Sequence, residues 1–418
     1  MKLPSIWLLL TLAIGGCGVG ASQPVVQAQS SVSQSLRPQT TGVIKNIVVI
    51  VQENRTPDNL FNGFPNADTK KVGLNHLGQN VSLAQVPLFQ AYDLDHSTKG
   101  FMREYDGGKM DGFDLEYNDK HDPLLAYQYT IESDVDPYWQ MAKAYTFGDR
   151  MFASTNGPSF GTHQYLIAGQ AGLTTDNPHG HPWGCDLSPT FCYDYQTLGD
   201  TMDNAQVSWR YYAAGAFSRN PKNFNVWLAY DAIRHIRYGP DWSADMADTN
   251  QFFTDVSQGN LKQYSEIVPT GANSDHAGTK LGGKTVDTGP AWVASIVDAI
   301  GQSKYWNNTA IIVVWDDWGG WYDHVPPQQL YPDGLGIRVP LIVISPYARR
   351  GYVSHVNHEF GSILHFTETT FGLPSLGKAD ARSDDLSDCF DFTQSPGPFH
   401  PFVHGRYTIN DSTPPDNE

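Results

Sequence analysis

The sequence predicts an α/β protein with three layers, in which a central, mostly parallel sheet lies between helices. Three apolar runs carry this prediction, at residues 47–51, 310–315 and 339–344. Each is five to six residues long, rich in β-branched side chains and without alternation. That pattern is typical of strands covered on both faces. The apolar spacing in 290–303 and 359–371 predicts crossover helices between strands.

Polar residues follow each apolar run. Glu53 and Asn54 follow the first run, Asp316 and Asp317 the second, and Ser345 the third. Ligands of open α/β sheets bind outside the carboxyl ends of the strands. We therefore expect these polar ends to form one shared site. The stretch from about 176 to 255 is rich in Trp, Tyr and Asn, with weak periodicity, and is expected to form a cap-like excursion over the strand ends.

The N-terminus has the pattern of an export signal. Lys2, a short apolar run and a small-residue end predict a signal peptide over 1–21, followed by a tether over 22–40 that is nearly uncharged. The residues before Cys17 resemble a bacterial lipobox, so a lipid-anchored and a free form both remain open. A single domain is expected over 41–418, located in the periplasm, on the cell surface or outside the cell.

The net charge indicates which binding partners to expect, and the cysteine content indicates the redox state of the cellular compartment. The net charge of −17 repels nucleic acids and anionic membranes at long range, so nucleic acid is excluded and phosphate must be bound locally. Membrane contact is expected only through an N-terminal lipid anchor, and the oligomeric state is left open. Cys185 and Cys192 lie seven positions apart and favour a local disulfide in an oxidising compartment, which leaves Cys389 unpaired and buried.

The paired polar residues favour a metal site. Glu53 and Asn54 offer oxygen ligands for a hard divalent cation. Asp316 and Asp317 would repel each other unless a positive charge lay beside them. Helix capping and a solvated turn are the alternatives, and we favour one divalent ion, with Zn, Ca, Mg and Mn all open.

Candidate catalytic residues lie in other segments. Ser159 sits in a sharp turn before an apolar segment at 165–168 that is predicted to be helical, where a phosphate would be favoured and a metal could activate the hydroxyl. An N-cap serine is the alternative. His96, His276 and His324 each lie beside an aspartate, which keeps an imidazole protonated as a donor, although packing is the commoner use of a histidine.

Five spaced motifs resemble the bacterial phosphoesterase family that contains non-haemolytic phospholipases C and respiratory-burst-inhibiting acid phosphatases. They are, in order, residues 48–61 with Glu53-Asn54-Arg55, Asp95-His96 with 108–113, Gly157-Pro158-Ser159, 316–325, and 339–346. The resemblance runs from about residue 44 to 392. It implies an alkaline phosphatase-like fold.

The resemblance also implies roles for the candidate residues. Glu53, Asn54, Asp316 and Asp317 would hold a divalent metal, and Ser159 would be both nucleophile and ligand. By the same resemblance His96 and His276 would contact the phosphoryl oxygens or assist the leaving group, and His324 would lie in the same neighbourhood.

Two departures from the phospholipase pattern point to the acid phosphatase branch. Ser159-Phe160-Gly161-Thr162-His163 stands where those members have Thr-x-Pro-Asn-Arg, and Asp316-Asp317 stands where they have Asp-Glu. The resemblance therefore implies an exported hydrolase of small phosphomonoesters that works through a phosphoserine.

Three alternatives remain open. A phospholipase C acting on phosphatidylcholine is one, since aromatic residues in 183–242 could bind choline. The second is a non-catalytic surface protein that binds phosphate or lipid. The third, sulfatase or phosphonate chemistry, ranks low.

Overall fold

A nine-stranded sheet forms the centre of the protein in its computed structural model, which describes residues 42–118, 120–180, 183–218, 225–278, 288–330 and 334–405. The strands lie in the order β12-β6-β11-β10-β1-β9-β7-β8, and β13 also pairs with β6. The predicted signal peptide, the predicted tether and Cys17 lie outside the described residues. The strands of this sheet are β1 (Asn46–Gln52), β6 (Thr146–Phe152), β7 (Trp209–Tyr212), β8 (Met246–Ala247), β9 (Tyr264–Ile267), β10 (Thr309–Trp315), β11 (Arg338–Ile344), β12 (Tyr352–Ser354) and β13 (His358–Glu359).

Helices cover the sheet on both sides. One group contains α3, α8 and α9, and another contains α4, α5, α10 and α11. Every residue of β1, β10 and β11 is buried, so both faces of these strands are covered and the predicted three-layer architecture is confirmed. The helices are α1 (Pro57–Leu60), α2 (Thr98–Tyr105), α3 (Glu132–Ala144), α4 (Ser159–Ala168), α5 (Leu198–Asn204), α6 (Arg234–Arg237), α7 (Asp241–Asp245), α8 (Gln251–Gln258), α9 (Gly289–Gly301), α10 (Phe360–Phe371) and α11 (Ala379–Arg382).

Two small sheets accompany the main one. The strands β2 (Val72–Leu74) and β3 (Asn80–Ser82) pair antiparallel, whereas β4 (Ala84–Val86) and β5 (Gln128–Thr130) pair parallel. A second, smaller apolar core that includes Phe101, Phe113, Tyr127, Trp318 and Trp321 packs in this part of the chain. The core therefore reaches the segment that follows β10.

The direction of β11 differs from the prediction. It runs antiparallel to both of its neighbours, β10 and β6, while the other strands of the main sheet run in one direction. The carboxyl end of β11 therefore lies where its neighbour β10 begins. There, Ser345 Oγ donates a hydrogen bond to the carbonyl of Thr309, the first residue of β10. The expectation that Ser345 joins the shared site is wrong, because burial on both faces produces the same apolar run in either strand direction.

The stretch 176–255 is only in part an excursion. It contributes β7 and β8 to the edge of the main sheet, next to β9. The prediction missed these strands because Arg210 interrupts the apolar pattern of β7. The Arg210 guanidinium donates to Asp255 Oδ2 at 2.8 Å, and this ion pair stabilises a charged side chain within the sheet.

The predictions for the cysteines are confirmed. Cys185 and Cys192 form a disulfide, and Cys389 is a buried free cysteine. Among the helices of the described residues, none combines the length and the apolar character that a membrane-spanning helix requires.

Candidate active site

The carboxyl ends of β1 and β10 bring two polar turns side by side. These strands pair in parallel register, with Gln52 opposite Trp315. The pairing continues past the strand ends, because the Asp316 amide donates to the Gln52 carbonyl at 2.9 Å and the Arg55 amide donates to the Asp317 carbonyl at 3.0 Å. All four predicted ligands in these turns, at 53, 54, 316 and 317, are buried.

Asn54 has the backbone conformation that joins the two turns. Its φ of 61° is left-handed, a region that Asn tolerates better than most residues. The Asn54 amide donates to Asp316 Oδ1 at 3.1 Å. Its side-chain Nδ2 lies 3.1 Å from His96 Nε2, and the amide oxygen Oδ1 is buried with no hydrogen-bond partner among the described residues. A buried amide oxygen in this state is suited to bind a cation.

Helix α4 brings the serine to the carboxylates. The chain leaves β6 at the same edge of the sheet and starts α4 at Ser159, whose Oγ donates to Asp317 Oδ2 at 3.2 Å. The next backbone N–H, of Phe160, donates to the Asn177 side chain at 2.9 Å. Ser159 is completely buried, so its hydroxyl exchanges a hydrogen bond with a carboxylate rather than with bulk water.

The structure adds Thr162 and His163, one turn further along α4. His163 Nε2 lies 3.0 Å from Glu53 Oε1 and 3.8 Å from Asp316 Oδ2, and Thr162 Oγ1 lies 3.5 Å from the same Asp316 oxygen. The sequence gives no local sign of His163, because no aspartate flanks it. The helix begins at Ser159, six residues before the segment predicted to be helical, and this start places His163 one turn after Ser159 on the same helix face.

His96 and His276 face each other beside this cluster, with ring centroids 5.5 Å apart. His96 Nδ1 lies 2.8 Å from the Leu94 carbonyl, and His276 Nδ1 lies 2.6 Å from the Ala277 carbonyl. A carbonyl only accepts, so each Nδ1 carries a proton. Asn54 then donates to His96 Nε2, so protonation of that nitrogen requires the contact with Asn54 to change.

A buried network holds the His276 loop against β1. The Arg55 guanidinium donates to the Asp275 carbonyl at 2.7 and 2.9 Å, and the Asp275 amide donates to Gln52 Oε1 at 3.0 Å. The Asp275 carboxylate accepts from Trp315 Nε1 at 3.0 Å. Arg55 and Asp275 therefore position His276 through hydrogen bonds to residues of the two central strands.

The structure does not bring His324 together with Ser159. Its Nδ1 and Nε2 lie 2.7 and 3.0 Å from carboxylate oxygens of Asp58 and Asp68. Burial alone would lower the pKa of His324, but the hydrogen bond and charge of Asp58 outweigh it and raise the pKa. Arg338 completes this network by donating to both carboxylate oxygens of Asp323, at 2.8 and 2.9 Å. In this position His324 bridges the carboxylates of Asp58 and Asp68.

A pocket of about 300 Å³ opens beside His96 and Pro158. Most of its lining residues are polar, Asp93, Asp176 and Asn177 among them. A larger cavity of about 640 Å³ lies elsewhere, between Tyr145, Trp306 and Phe402, and none of the residues of the Ser159 cluster lines it. Of these two cavities, only the smaller one is lined by residues next to the Ser159 cluster, namely His96 and Pro158.

The donor set fits a divalent cation. Glu53, Asp316 and His163 offer ligand atoms within 4.8 Å of one another, and the buried Asn54 oxygen adds a further donor. Carboxylate, amide and imidazole donors suit several divalent metals, so the set does not select one. A cation here would also offset the repulsion between the buried carboxylates.

The mostly parallel α/β sheet carries a buried serine, carboxylates and histidines at the carboxyl ends of its strands, and such groups supply the nucleophile, metal ligands and proton donors for ester hydrolysis. The model of the Phosphoesterase family matches residues 44–374, and the chain belongs to this family. It is a hydrolase acting on phosphoric ester bonds.

Three relatives show the range of similar proteins. The chain is 26% identical to phospholipase C B of Mycobacterium tuberculosis, over 86% of this chain and 80% of that protein. It is 25% identical to the hemolytic phospholipase C of Pseudomonas aeruginosa, over 87% and 58%, and 24% identical to non-specific phospholipase C1 of Arabidopsis thaliana, over 85% and 72%. A solved alkaline phosphatase superfamily protein from Vibrio parahaemolyticus matches with a TM-score of 0.41 and 10% identity, over 82% of this chain and 72% of that one.

Proposed function

We propose that the chain is an exported phosphatase that hydrolyses small phosphomonoesters through a phosphoserine at Ser159. The observation that carries this proposal is the Ser159 hydroxyl, buried at the start of α4 and hydrogen-bonded to Asp317. A phosphoryl group in line with this oxygen would also lie near the positive end of the helix dipole. Export is part of the proposal because of the N-terminal signal pattern.

The residues divide the chemistry between them. Ser159 Oγ forms the bond to phosphorus, the bond to the leaving oxygen breaks, and the hydroxyl proton passes to a carboxylate such as Asp317. His276, and His96 once its contact with Asn54 Nδ2 has changed, would contact the phosphoryl oxygens or supply the proton to the leaving group. Water then cleaves the phosphoserine and frees phosphate. Glu53, Asn54, Asp316, Asp317 and His163 would hold a divalent metal, which would lower the pKa of the Ser159 hydroxyl and stabilise negative charge.

Two features favour small monoesters over phospholipids. The pocket beside His96 is small, and seven of the nine residues that line it are polar. Trp183, from the stretch that could have lined a choline site, is only 3% exposed and packs against Phe160. Trp227 lies beside His276, with ring centroids 6.4 Å apart, and is the candidate aromatic residue for the phospholipase alternative. The relatives named phospholipase C support the other candidate, cleavage of phosphatidylcholine-type diesters.

The decisive experiment combines one variant with three substrates. Ser159→Ala should reduce turnover of p-nitrophenyl phosphate by several orders of magnitude with an unchanged unfolding midpoint, because the small side chain contributes little packing. Ser345→Ala is the matched control, since this serine lies at the opposite edge of the sheet and should keep full activity. Near-normal activity of Ser159→Ala would exclude the nucleophile.

The substrate comparison separates the candidate functions. We expect kcat/KM to fall from p-nitrophenyl phosphate to bis-p-nitrophenyl phosphate and further to phosphatidylcholine in mixed micelles. The reverse order would assign a phospholipase. No turnover of any ester by metal-loaded protein would leave the binding protein as the better interpretation.

A further inference from the structure

A second cluster of possible metal-ligating side chains lies around β12, the first strand in the sheet order, and β13. It consists of His358 on β13, Asp388 and Cys389 in the turn Ser387–Cys389, and Asp384 just before that turn. His358 and Cys389 are buried, while the Asp388 side chain is 24% exposed. None of these residues belongs to the Ser159 cluster, and the phosphatase mechanism leaves them without a role.

Three atoms of this cluster form a nearly equilateral triangle. His358 Nε2 lies 3.5 Å from Asp388 Oδ1 and 3.9 Å from Cys389 Sγ, and Cys389 Sγ lies 3.7 Å from Asp388 Oδ1. Nitrogen, oxygen and sulfur ligands around one tetrahedral zinc ion stand about 3.4–3.6 Å apart, given bonds of about 2.0–2.3 Å. The point in their plane that is equidistant from the three atoms lies about 2.1 Å from each, and a tetrahedral ion just out of that plane would have bonds of about 2.3 Å.

The surroundings of His358 are those of a metal ligand. Its other ring nitrogen, Nδ1, lies 2.9 Å from Asp384 Oδ2. Asp384 is itself held, since it accepts from the Ser362 hydroxyl at 2.5 Å and from the Leu386 amide at 3.0 Å. A carboxylate that receives the Nδ1 proton directs the Nε2 lone pair towards a metal, as in carboxylate–histidine–zinc arrangements.

A fourth ligand position is available at this cluster. Ser354 Oγ lies 3.1 Å from His358 Nε2 and 2.5 Å from Asp388 Oδ2. The partial exposure of Asp388 gives water a path to the same point. Mixed sulfur, nitrogen and carboxylate donors favour zinc and similar metals over magnesium or calcium, which prefer oxygen donors alone.

We propose that His358, Asp388 and Cys389 bind one zinc-type divalent ion that ties the turn Ser387–Cys389 to the edge strands β12 and β13. The ion would join residues about 30 positions apart in the chain and so restrict the unfolded state. This is a structural site that shares no residue with the Ser159 cluster. The alternative arrangement is a protonated His358 held between Asp384 and Asp388 by hydrogen bonds alone.

Cobalt substitution tests the proposal, because a cobalt–thiolate bond gives a charge-transfer band in the near ultraviolet and the catalytic cluster contains no sulfur. We expect the full-length protein, stripped of metal and titrated with Co²⁺, to show this band. Cys389→Ser should lose the band and one equivalent of bound cobalt. Asp316→Asn, a change at the catalytic edge, should keep the band.

Each outcome decides the question. Cobalt binding without a thiolate band, or no cobalt binding at all, would overturn the proposal in favour of the hydrogen-bonded arrangement. A band that survives in Cys389→Ser would assign it to another thiol and also overturn the proposal. If Cys389→Ser does not fold, Asp388→Asn serves instead, and it should weaken cobalt binding at the thiolate band by at least tenfold.

Discussion

The substitution Gly319→Ala tests the geometry that joins the two turns of the candidate site. Gly319 has a φ of +62°, and its amide donates to Asp317 Oδ1 at 2.7 Å. A methyl group at this position would lie 2.6 Å from Asn54 Cβ and 2.6 Å from the Asn54 carbonyl oxygen. The new atom can be accommodated only if Asn54 moves away from the turn that carries Asp316 and Asp317.

The expected free energy has two parts. A non-glycine residue in the left-handed region costs about 1–2 kcal/mol, and a contact that displaces packed atoms adds about 1–3 kcal/mol. We therefore expect Gly319→Ala to lower the free energy of unfolding by about 2–5 kcal/mol. The shift of Asn54 should also reduce kcat/KM by about 100-fold or more, because a displacement near 1 Å in a catalytic site has that effect.

Gly372→Ala is the matched control. Gly372 ends α10 with a φ of +69°, and a methyl group there would have no neighbour within 4 Å. The Gly372→Ala variant should lose only the cost of the left-handed backbone, about 1–2 kcal/mol of the free energy of unfolding, and should keep its activity. The assays are denaturant unfolding and turnover of p-nitrophenyl phosphate. Equal destabilisation of the two variants, with equal activity, would refute the close packing of Gly319 on Asn54.

Three further changes address the metal, His163 and a buried carboxylate. Chelation should abolish activity and lower the melting temperature, because it leaves buried carboxylates without a counter-charge; full activity in protein shown to be metal-free by elemental analysis would contradict this. His163→Ala should lower activity or metal affinity by about 10–100-fold, as measured by titration of the metal-free protein, because Glu53 loses its 3.0 Å partner; unchanged affinity and activity would make His163 a packing residue. Burial raises the pKa of Glu104, so its contribution to stability is complete below the pKa of the unfolded chain, near 4.5, and is lost as pH rises through the raised folded-state pKa. Glu104→Gln should therefore flatten the fall in melting temperature above pH 5, and an unchanged slope would argue against a raised pKa.

The sequence predicts those parts of the fold in which the residue types themselves indicate that the segment is buried. The runs 47–51, 310–315 and 339–344 are strands because both faces of the sheet are covered, and 290–303 and 359–371 coincide closely with α9 and α10. Strand direction is not encoded in that signal, which is why β11 was placed with the wrong polarity. The strands β6, β7 and β9 were missed because they carry charged residues such as Asp149 and Glu266, which tertiary partners make tolerable.

Two histidines show why the site could be predicted only in part. His324 has aspartate beside it in sequence, and the same Asp-flanked pattern singled out His96 and His276. In the fold His324 is bound by Asp58 and Asp68, more than 250 positions away, and it serves a buried charge network. His163 has no such neighbour in sequence, yet its ring meets Glu53 from a strand end 110 positions earlier.

The charge that surrounds an imidazole depends on which strand ends and helix faces meet, and local sequence does not contain that information. Glu53, Asn54, Asp316 and Asp317 could be expected at one place because strand ends of one direction share an edge, so position along a strand was enough. The partner of a helix residue depends in addition on the rotation of the helix about its axis. In α4 that rotation turns Ser159, Thr162 and His163 towards the carboxylates together. The sequence therefore predicts the site residues whose positions depend on strand direction. It does not predict those whose positions depend on how a helix packs.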